Sequence, residues 1–280
     1  MRWKTFLSLL FLCLLTVDVN GQSTLRLMSY NIRHGAGLDG RSDFERIAEV
    51  IKREHPDVVA LQEVDSVTRR TGGRDFLGEL GVSTGMQHLY APAIAFEGGK
   101  YGIGLLCRKK PLVMRKVSLP GREESRMLLI AEFEDYVFCC THFSLTEEAR
   151  IEVETLREAE VVADAAQLAD AVGTHGRGSV EKIGKLLENE KKPVFLAGDL
   201  NAEPDSPVMT ALQKKFMILN SVTENTIPAD NPQSCIDYVL GYVANGSRYS
   251  VITNYVVNEP VASDHRPVFV SVGIAEMRRK

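Results

Sequence analysis

The chain has 280 residues, 44% of them hydrophobic and 25% charged, with a formal net charge of -4. This is globular composition, with enough length to bury a large core and no need for more than one domain. The mild acidity argues against a high-affinity, non-specific nucleic-acid binder, which needs a basic face to neutralise phosphates.

The N-terminus reads as an export signal. Arg2 and Lys4 precede a nearly unbroken apolar run from Phe6 to Val17, and Val19–Asn20–Gly21 supplies modest residues for cleavage before Gln22. The run is shorter than the ~20 apolar residues that a bilayer demands. Leu12 before Cys13 disfavours lipid attachment. Residues 1–21 are therefore expected to be a signal peptide and 22–280 the mature domain, periplasmic or extracellular, without a transmembrane segment and monomeric. Four cysteines remain, Cys107, Cys139, Cys140 and Cys235. Export permits a disulfide, but sequence alone cannot pair them, and no spacing resembles a zinc site.

Leu25–Ile32 alternates as a strand and ends at Asn31; Arg33, His34 and a glycine-rich loop follow. Ser42-x-x-Glu45 has the form of a capping box, with Ser42 as N-cap of a helix whose apolar face is Phe44, Ile47, Ala48 and Ile51 and whose end is His55–Pro56. Asp57–Glu63 is a second strand that delivers Gln62 and Glu63. The loop beyond it carries Arg69, Arg70 and Arg74 among glycines. Such a loop is either ordinarily solvated or suited to receive an anionic substrate group.

Tyr101–Cys107 reads as a strand entered by Gly98–Gly99. Arg126–Ala131 and Tyr136–His142 form a hairpin about Glu134–Asp135, the second arm ending at His142. Thr146 to about Val172 is rich in helix formers and predicts one long helix, broken at Gly173–Gly178. Ser179 is expected to cap a shorter helix reaching about Glu190.

Pro193–Gly198 is an apolar strand that hands over to Asp199 and Asn201. If the chain stays extended, the two side chains project to the same side and can orient a water; read alone, they make a turn equally well. A short helix lies near Leu212, Ser234–Leu240 is a strand with Asp237 near its start, and Asn245–Gly246 is a turn. Tyr249–Val257 is a strand, Ser263–Pro267 a loop, and Val268–Val272 closes the domain.

Apolar strands thus end repeatedly in an acid, amide or imidazole: Asn31, Glu63, His142, Asp199, Asn201 and Asp237, with Asp264 and His265 in the last loop. Strand ends need turn residues but not this chemistry. The set suits metal-assisted hydrolysis of a phosphoester. A hard divalent cation takes a few oxygen ligands, which Asn31, Glu63 and Asp264 can offer. Asp237 can fix the tautomer of His265, Asp199 and Asn201 can orient the water, and His142 can donate to a phosphoryl oxygen.

Ser29–Tyr30–Asn31–Ile32, Gln62–Glu63–Val64, Tyr101–Gly102, Thr141–His142, Gly198–Asp199–Leu200–Asn201, Ile236–Asp237–Tyr238 and Ser263–Asp264–His265–Arg266–Pro267 together resemble the endonuclease/exonuclease/phosphatase superfamily over about Leu25 to Val272. The resemblance implies an α/β fold, a four-layer α/β sandwich of two packed, mostly antiparallel β-sheets flanked by helices. It implies Mg²⁺ (Mn²⁺ as a substitute) held by Glu63 with Asn31 and Asp264 nearby, and catalysis by His142, Asp199, Asn201, Asp237 and His265. Tyr101 would touch the substrate phosphate. The motif variants look most like exported, GPI-lipid-remodelling-like members. The expected substrate is a phosphodiester or phosphomonoester of a small molecule or lipid headgroup. An extracellular nuclease and an inactive binding module on the same fold are the alternatives; nucleic acid is not favoured, since no long basic run or aromatic series accompanies the motifs.

Overall fold

A computed structural model describes residues 22–146, 178–246 and 249–275. The expected signal peptide, the long helix between Thr146 and Val172 and the charged tail at Arg278–Lys280 lie wholly or almost wholly outside the described residues.

Twelve strands form two six-stranded sheets among the described residues. The first contains β1 (Gln22–Asn31), β2 (Val58–Ser66), β3 (Gln87–Phe96), β4 (Gly99–Cys107), β11 (Tyr249–Val256) and β12 (Val268–Ala275), in the order β11-β12-β1-β2-β4-β3. The second contains β5 (Val113–Leu119), β6 (Arg126–Glu132), β7 (Val137–His142), β8 (Val194–Asp199), β9 (Phe216–Ile218) and β10 (Asp237–Tyr242), in the order β5-β6-β7-β8-β10-β9. Each sheet is antiparallel except for one central parallel pair, β1 with β2 and β7 with β8. The expected layered sandwich is therefore the observed one, and among the described residues no helix is long and apolar enough to cross a membrane.

Side-chain alternation divides these strands between three cores. Leu25 and Leu27 of β1, Val58 and Ala60 of β2, Phe138 and Cys140 of β7, Phe195 and Ala197 of β8 and Val239 of β10 meet between the sheets. The opposite faces bury Met28, Tyr30, Val59 and Leu61 under α1 (Phe44–Glu54) and α2 (Phe76–Thr84), and Cys139, Leu196, Tyr238 and Leu240 under α3 (Ser179–Leu187) and α4 (Pro207–Leu212). A residue that continues the inner alternation past the last apolar position must still face the seam. Asn31, Gln62, His142, Asp199 and Asp237 all do so, because they follow Leu27, Ala60, Cys140 and Ala197 or precede Val239 at a spacing of two or four.

Two caps differ from expectation. Asp43, not Ser42, caps α1, accepting from the Arg46 N–H at 3.3 Å. Ser42 is held one residue back by its bridge to Ala36. Gly178 rather than Ser179 precedes α3, and Ser179 is buried inside the first turn. The left-handed His55 closes α1 where the chain was expected to stop. The alternation missed α2, and it missed β3, where Pro92 sits on an edge strand at a bulge. It also missed the exposed edge strand β5. The four cysteines among the described residues are buried and unpaired, Cys107, Cys139 and Cys140 inside strands and Cys235 just before β10.

Gly198 is required where β7 and β8 pair. A Cβ there would stand 2.1 Å from the Thr141 carbonyl oxygen, a backbone atom that cannot turn aside. Gly198→Ala is expected to destabilise the protein by about 1–3 kcal/mol through overpacking. Urea unfolding checks this, and an unchanged midpoint would contradict the close approach.

Candidate active site

The inner alternation brings three polar side chains into one row across the second sheet. His142 is in register with Asp199, and Asp199 with Asp237. Facing them from the first sheet is Asn31, fully buried at the end of β1. Its Nδ2 donates to Asp199 Oδ2 at 3.0 Å and to Glu63 Oε1 at 3.0 Å. Its Oδ1 accepts the Arg33 N–H at 3.1 Å.

Glu63 would point away from this seam in a regular strand, since Val59 and Leu61 face α1 and α2. A bulge in β2 between Leu61 and Val64, with Glu63 in the left-handed region at φ 57°, turns its carboxylate in. Bulges re-aim side chains in this way beside functional sites. His265 arrives on the loop before β12, whose antiparallel pairing with β1 returns the chain to the same end. Ser263 Oγ donates to the Asn31 carbonyl at 2.7 Å and accepts the His265 N–H at 3.3 Å, so that loop is tied directly to β1.

Asp199 is the centre of the row. Its Oδ2 lies 3.6 Å from His142 Nε2 and 3.7 Å from His265 Nε2. Its Oδ1 accepts the Asn201 N–H at 2.9 Å. The chain is not extended here: Asn201 adopts φ 49°, and its Nδ2 donates to the Phe143 carbonyl at 3.0 Å. The expected same-side projection of Asp199 and Asn201 is therefore replaced by a turn closed on the Asp199 carboxylate, which holds that carboxylate in place.

The two histidines are driven apart in protonation. Burial disfavours the His265 imidazolium, but Asp237, 2.8 Å from Nδ1, and Asp199 outweigh it and raise the pKa to about 10. Burial dominates at His142, with help from the nearby Arg126 cation and against the pull of Asp199, and lowers its pKa to about 4. Near neutral pH the site pairs a cationic imidazole with a neutral one. Burial, then the charges of Asp199 and Asp264, pushes the Glu63 carboxyl upward despite the Asn31 hydrogen bond.

A divalent cation fits this donor set. Glu63 is a largely desolvated carboxylate repelled by two others, a repulsion that a hard cation between oxygen ligands removes. Asp199, Asp237 and His265 also converge, with one ligand atom each within 4.8 Å of one another. In the metal-free protein two of these three residues are joined by the Asp237–His265 hydrogen bond, and Glu63 and Asp264 offer further oxygen donors. Asn31, expected beside the ion, presents its amide nitrogen to the Glu63 and Asp199 carboxylates and holds those two together.

The arginines separate. Arg70 is bound through Nε and Nη2 to the fully buried Asp65 at 2.7 and 2.8 Å and lies 4.5 Å over the Phe96 ring. It lines a cleft next to Glu63 together with Tyr101. Arg74 instead pairs with Glu79 and stacks 4.1 Å over Phe44, against the helices. Arg69 is exposed, its backbone N–H donating to the Glu97 carbonyl. Three contributors had no sequence signal. Arg33 Nε pairs with Asp264 at 3.3 Å. Buried Arg126 sits beside His142 and Tyr101, with Glu123 and Glu124 on its guanidinium. Phe96 comes from the strand that Pro92 disguised.

The family model of the Endonuclease/Exonuclease/phosphatase family matches residues 28–265. No curated protein matches the chain. Among solved structures, an endonuclease/exonuclease/phosphatase from Bacteroides vulgatus is 16% identical, with 90% of this chain and 99% of that one aligned at a TM-score of 0.63. The corresponding protein from Beutenbergia cavernae DSM 12333 is 21% identical over 90% of this chain and 72% of the other, TM-score 0.59. A mannosyl-6-phosphatase of Bacteroides thetaiotaomicron VPI-5482 is 16% identical over 89% and 99%, TM-score 0.62. These likenesses establish the shared fold.

In the metal-free protein, imidazole proton shifts followed by NMR should show His142 neutral down to about pH 4 and His265 charged up to about pH 10. The charge on His265 stabilises the fold fully below its ordinary value of 6.5, and that contribution is lost as pH rises through about 10. Asp237→Asn should bring the His265 midpoint down. Two histidines titrating together near 6.5 would contradict the opposed environments.

Proposed function

The chain belongs to the endonuclease/exonuclease/phosphatase family, and from that premise we propose that it is an exported, divalent-metal-dependent phosphoesterase acting on a phosphodiester or phosphomonoester of a small molecule or lipid headgroup. The observation that carries this reading is the convergence on Asp199 Oδ2. The Asn31 amide at 3.0 Å, His142 Nε2 at 3.6 Å and His265 Nε2 at 3.7 Å surround one buried carboxylate oxygen, with Glu63 on the same amide. Export rests on the N-terminal sequence pattern. A single chain is proposed as the active unit.

Glu63 and Asp264, with Asn31 alongside, would hold Mg²⁺, or Mn²⁺ in its place. When bound, that ion supplies a Lewis acid that polarises the phosphoryl group and offsets its developing charge. Asp199 accepts a hydrogen bond from the attacking water, orients it and takes its proton. Asn201 fixes the Asp199 carboxylate through its backbone N–H and so keeps the water aligned. The water oxygen bonds to phosphorus as the ester oxygen departs, to be protonated by solvent.

His265, held by Asp237, presents a charged Nε2–H to a non-bridging oxygen, and neutral His142 presents a second donor. Preorganised donors of this kind act on charge that grows in the transition state. Tyr101 and Arg70 stand at the rim of the adjoining cleft as substrate contacts. Arg69 keeps its place in the proposal as an exposed cation of the same loop; Arg74, turned to Glu79, leaves it. A small ester is set ahead of nucleic acid because of the net charge of -4 and because the cleft is small.

Hydrolysis of an aryl phosphodiester and the matching monoester should require a divalent cation and stop in EDTA. Asp199→Ala and His265→Ala should each lower kcat by roughly 10²–10⁴ while the circular dichroism spectrum is retained. Near-normal turnover by a folded His265→Ala protein would remove the assigned role, and metal-independent turnover would remove the mechanism.

A further inference from the structure

We propose that the exposed start of β5, with the loop before it, docks on an anionic lipid surface. This goes beyond the phosphoesterase reading and does not depend on it.

Residues 108–116 run Arg-Lys-Lys-Pro-Leu-Val-Met-Arg-Lys, with five cations and no acid around three large apolar side chains. Apolar residues scattered singly over a surface need no explanation. Here Leu112 is 67% exposed, Val113 46% and Met114 42%, three in succession. β5 is the outer strand of its sheet, so no further strand covers them. Val117 and Leu119, later on the same strand, pack into the core beneath α3 and α4. The apolar exposure is thus confined to the end of β5 that carries the cations.

The patch is held in place. The Arg108 N–H donates to the Asp57 carbonyl at 2.9 Å, Arg108 Nε to the Pro56 carbonyl at 2.9 Å, and the Leu112 N–H to the Glu132 carbonyl at 2.7 Å. The loop is tied to the first sheet at one end and to the second at the other. A preformed surface of this kind loses little chain entropy on docking.

Charge selects the occupant. Arg108, Lys109, Lys110, Arg115 and Lys116 are all exposed, and none forms an ion pair among the described residues. Glu132, opposite Val113, is taken by Lys192 at 2.7 Å. The Asp57 carboxylate accepts the Arg26 N–H, and Glu134 and Asp135 stand at the adjoining β6–β7 turn. Five cations outnumber these three acids, on a chain whose total is -4. A second copy added edge to edge at β5 would set like charges against one another. Nucleic acid would satisfy the cations but not Leu112, Val113 and Met114, and residues 108–116 offer no aromatic ring on which a base could stack. Anionic headgroups above hydrocarbon satisfy both sets, with apolar tips below the headgroups and cations among the phosphates.

The strand register gives the orientation. Val113 pairs with Glu132, Glu132 pairs with Val137, and the strand that begins at Val137 ends at His142. Patch and active site therefore lie at opposite ends of the sheet, about 17 Å apart along β7 at ~3.3 Å per residue. A docked chain holds its active site toward water, away from the lipid surface.

The test is flotation with vesicles of phosphatidylcholine alone and of phosphatidylcholine containing about one-third phosphatidylglycerol, at low and high salt. Partition onto the anionic vesicles should exceed that onto the neutral ones by about tenfold or more and fall with salt. Lys109→Glu with Lys110→Glu should abolish that preference. Leu112→Ser with Met114→Ser should lower partition about tenfold at the same charge. Val82→Ser, at an 85% exposed apolar residue of α2 outside the patch, should change nothing. All these positions are exposed, and an unchanged circular dichroism spectrum and urea midpoint confirm that each variant is folded. Equal partition onto both vesicles, or none, would overturn the proposal. Loss in the charge variant but not in the apolar one would mean a site for soluble polyanions and would overturn it too, as would a dimer seen by light scattering that either double variant dissociates.

Discussion

Two sheets that meet through apolar side chains can hold a polar site at their edge only if something ties the sheets together there. The Asn31 amide does so. From the last residue of β1 it reaches Asp199 at the end of β8 in the opposite sheet, and it reaches Glu63 on the neighbouring strand. Glu63 is repelled by the charges of Asp199 and Asp264, and an amide N–H₂ is a neutral group able to donate to Glu63 and Asp199 at once. The remaining Asn31 groups are also used: its side-chain oxygen takes the Arg33 N–H and its backbone carbonyl takes Ser263 Oγ. The loop carrying Asp264 and His265 is therefore anchored by the same residue that joins the sheets.

Around this tie, burial acts with opposite results on chemically identical groups. His142 and His265 stand at nearly equal distances from Asp199 Oδ2. What separates them is the second carboxylate: Asp237 lies 2.8 Å from His265, whereas His142 has the Arg126 cation nearby. A desolvated imidazole is neutral by default, and charging it takes a close anion. The outcome is one cationic and one neutral imidazole facing the same Asp199 oxygen. This division comes from which strand lies alongside which, as His142, Asp199 and Asp237 occupy one cross-strand row.

The arginine loop after β2 is organised by the same economy of buried charge. Asp65 is inaccessible to solvent and accepts from Thr68 and Arg70. A carboxylate so enclosed needs its partners, and in satisfying it the loop sets Arg70 against Phe96 and Tyr101 at the mouth of the cleft. Arg74, four residues on, answers to Glu79 and the Phe44 ring instead. Arginines that look equivalent in sequence have unlike roles because only one of them has a buried acid within reach.

The amino-acid sequence by itself determined the strands that bear the site and the polar residues that end them. A period of two with an apolar inner face is a local signal, and His142, Asp199 and Asp237 continue it by one step and Asn31 by two. Strand ends of this chemistry, in this order, also carried the family and hence the sandwich. Only the tertiary structure decided what local patterns do not encode. It placed the bulge that turns Glu63 inward, since a bulge is defined by the partner strand, and the edge strand β3, whose Pro92 suppresses the local strand signal and is tolerated because an edge position leaves N–H groups unpaired. It replaced the extended Asp199–Asn201 segment by a turn, and it fixed which of several similar acids, arginines and histidines meet. Charge pairing and desolvation depend on distances between strands far apart in the chain, and those distances exist only once the two sheets have packed.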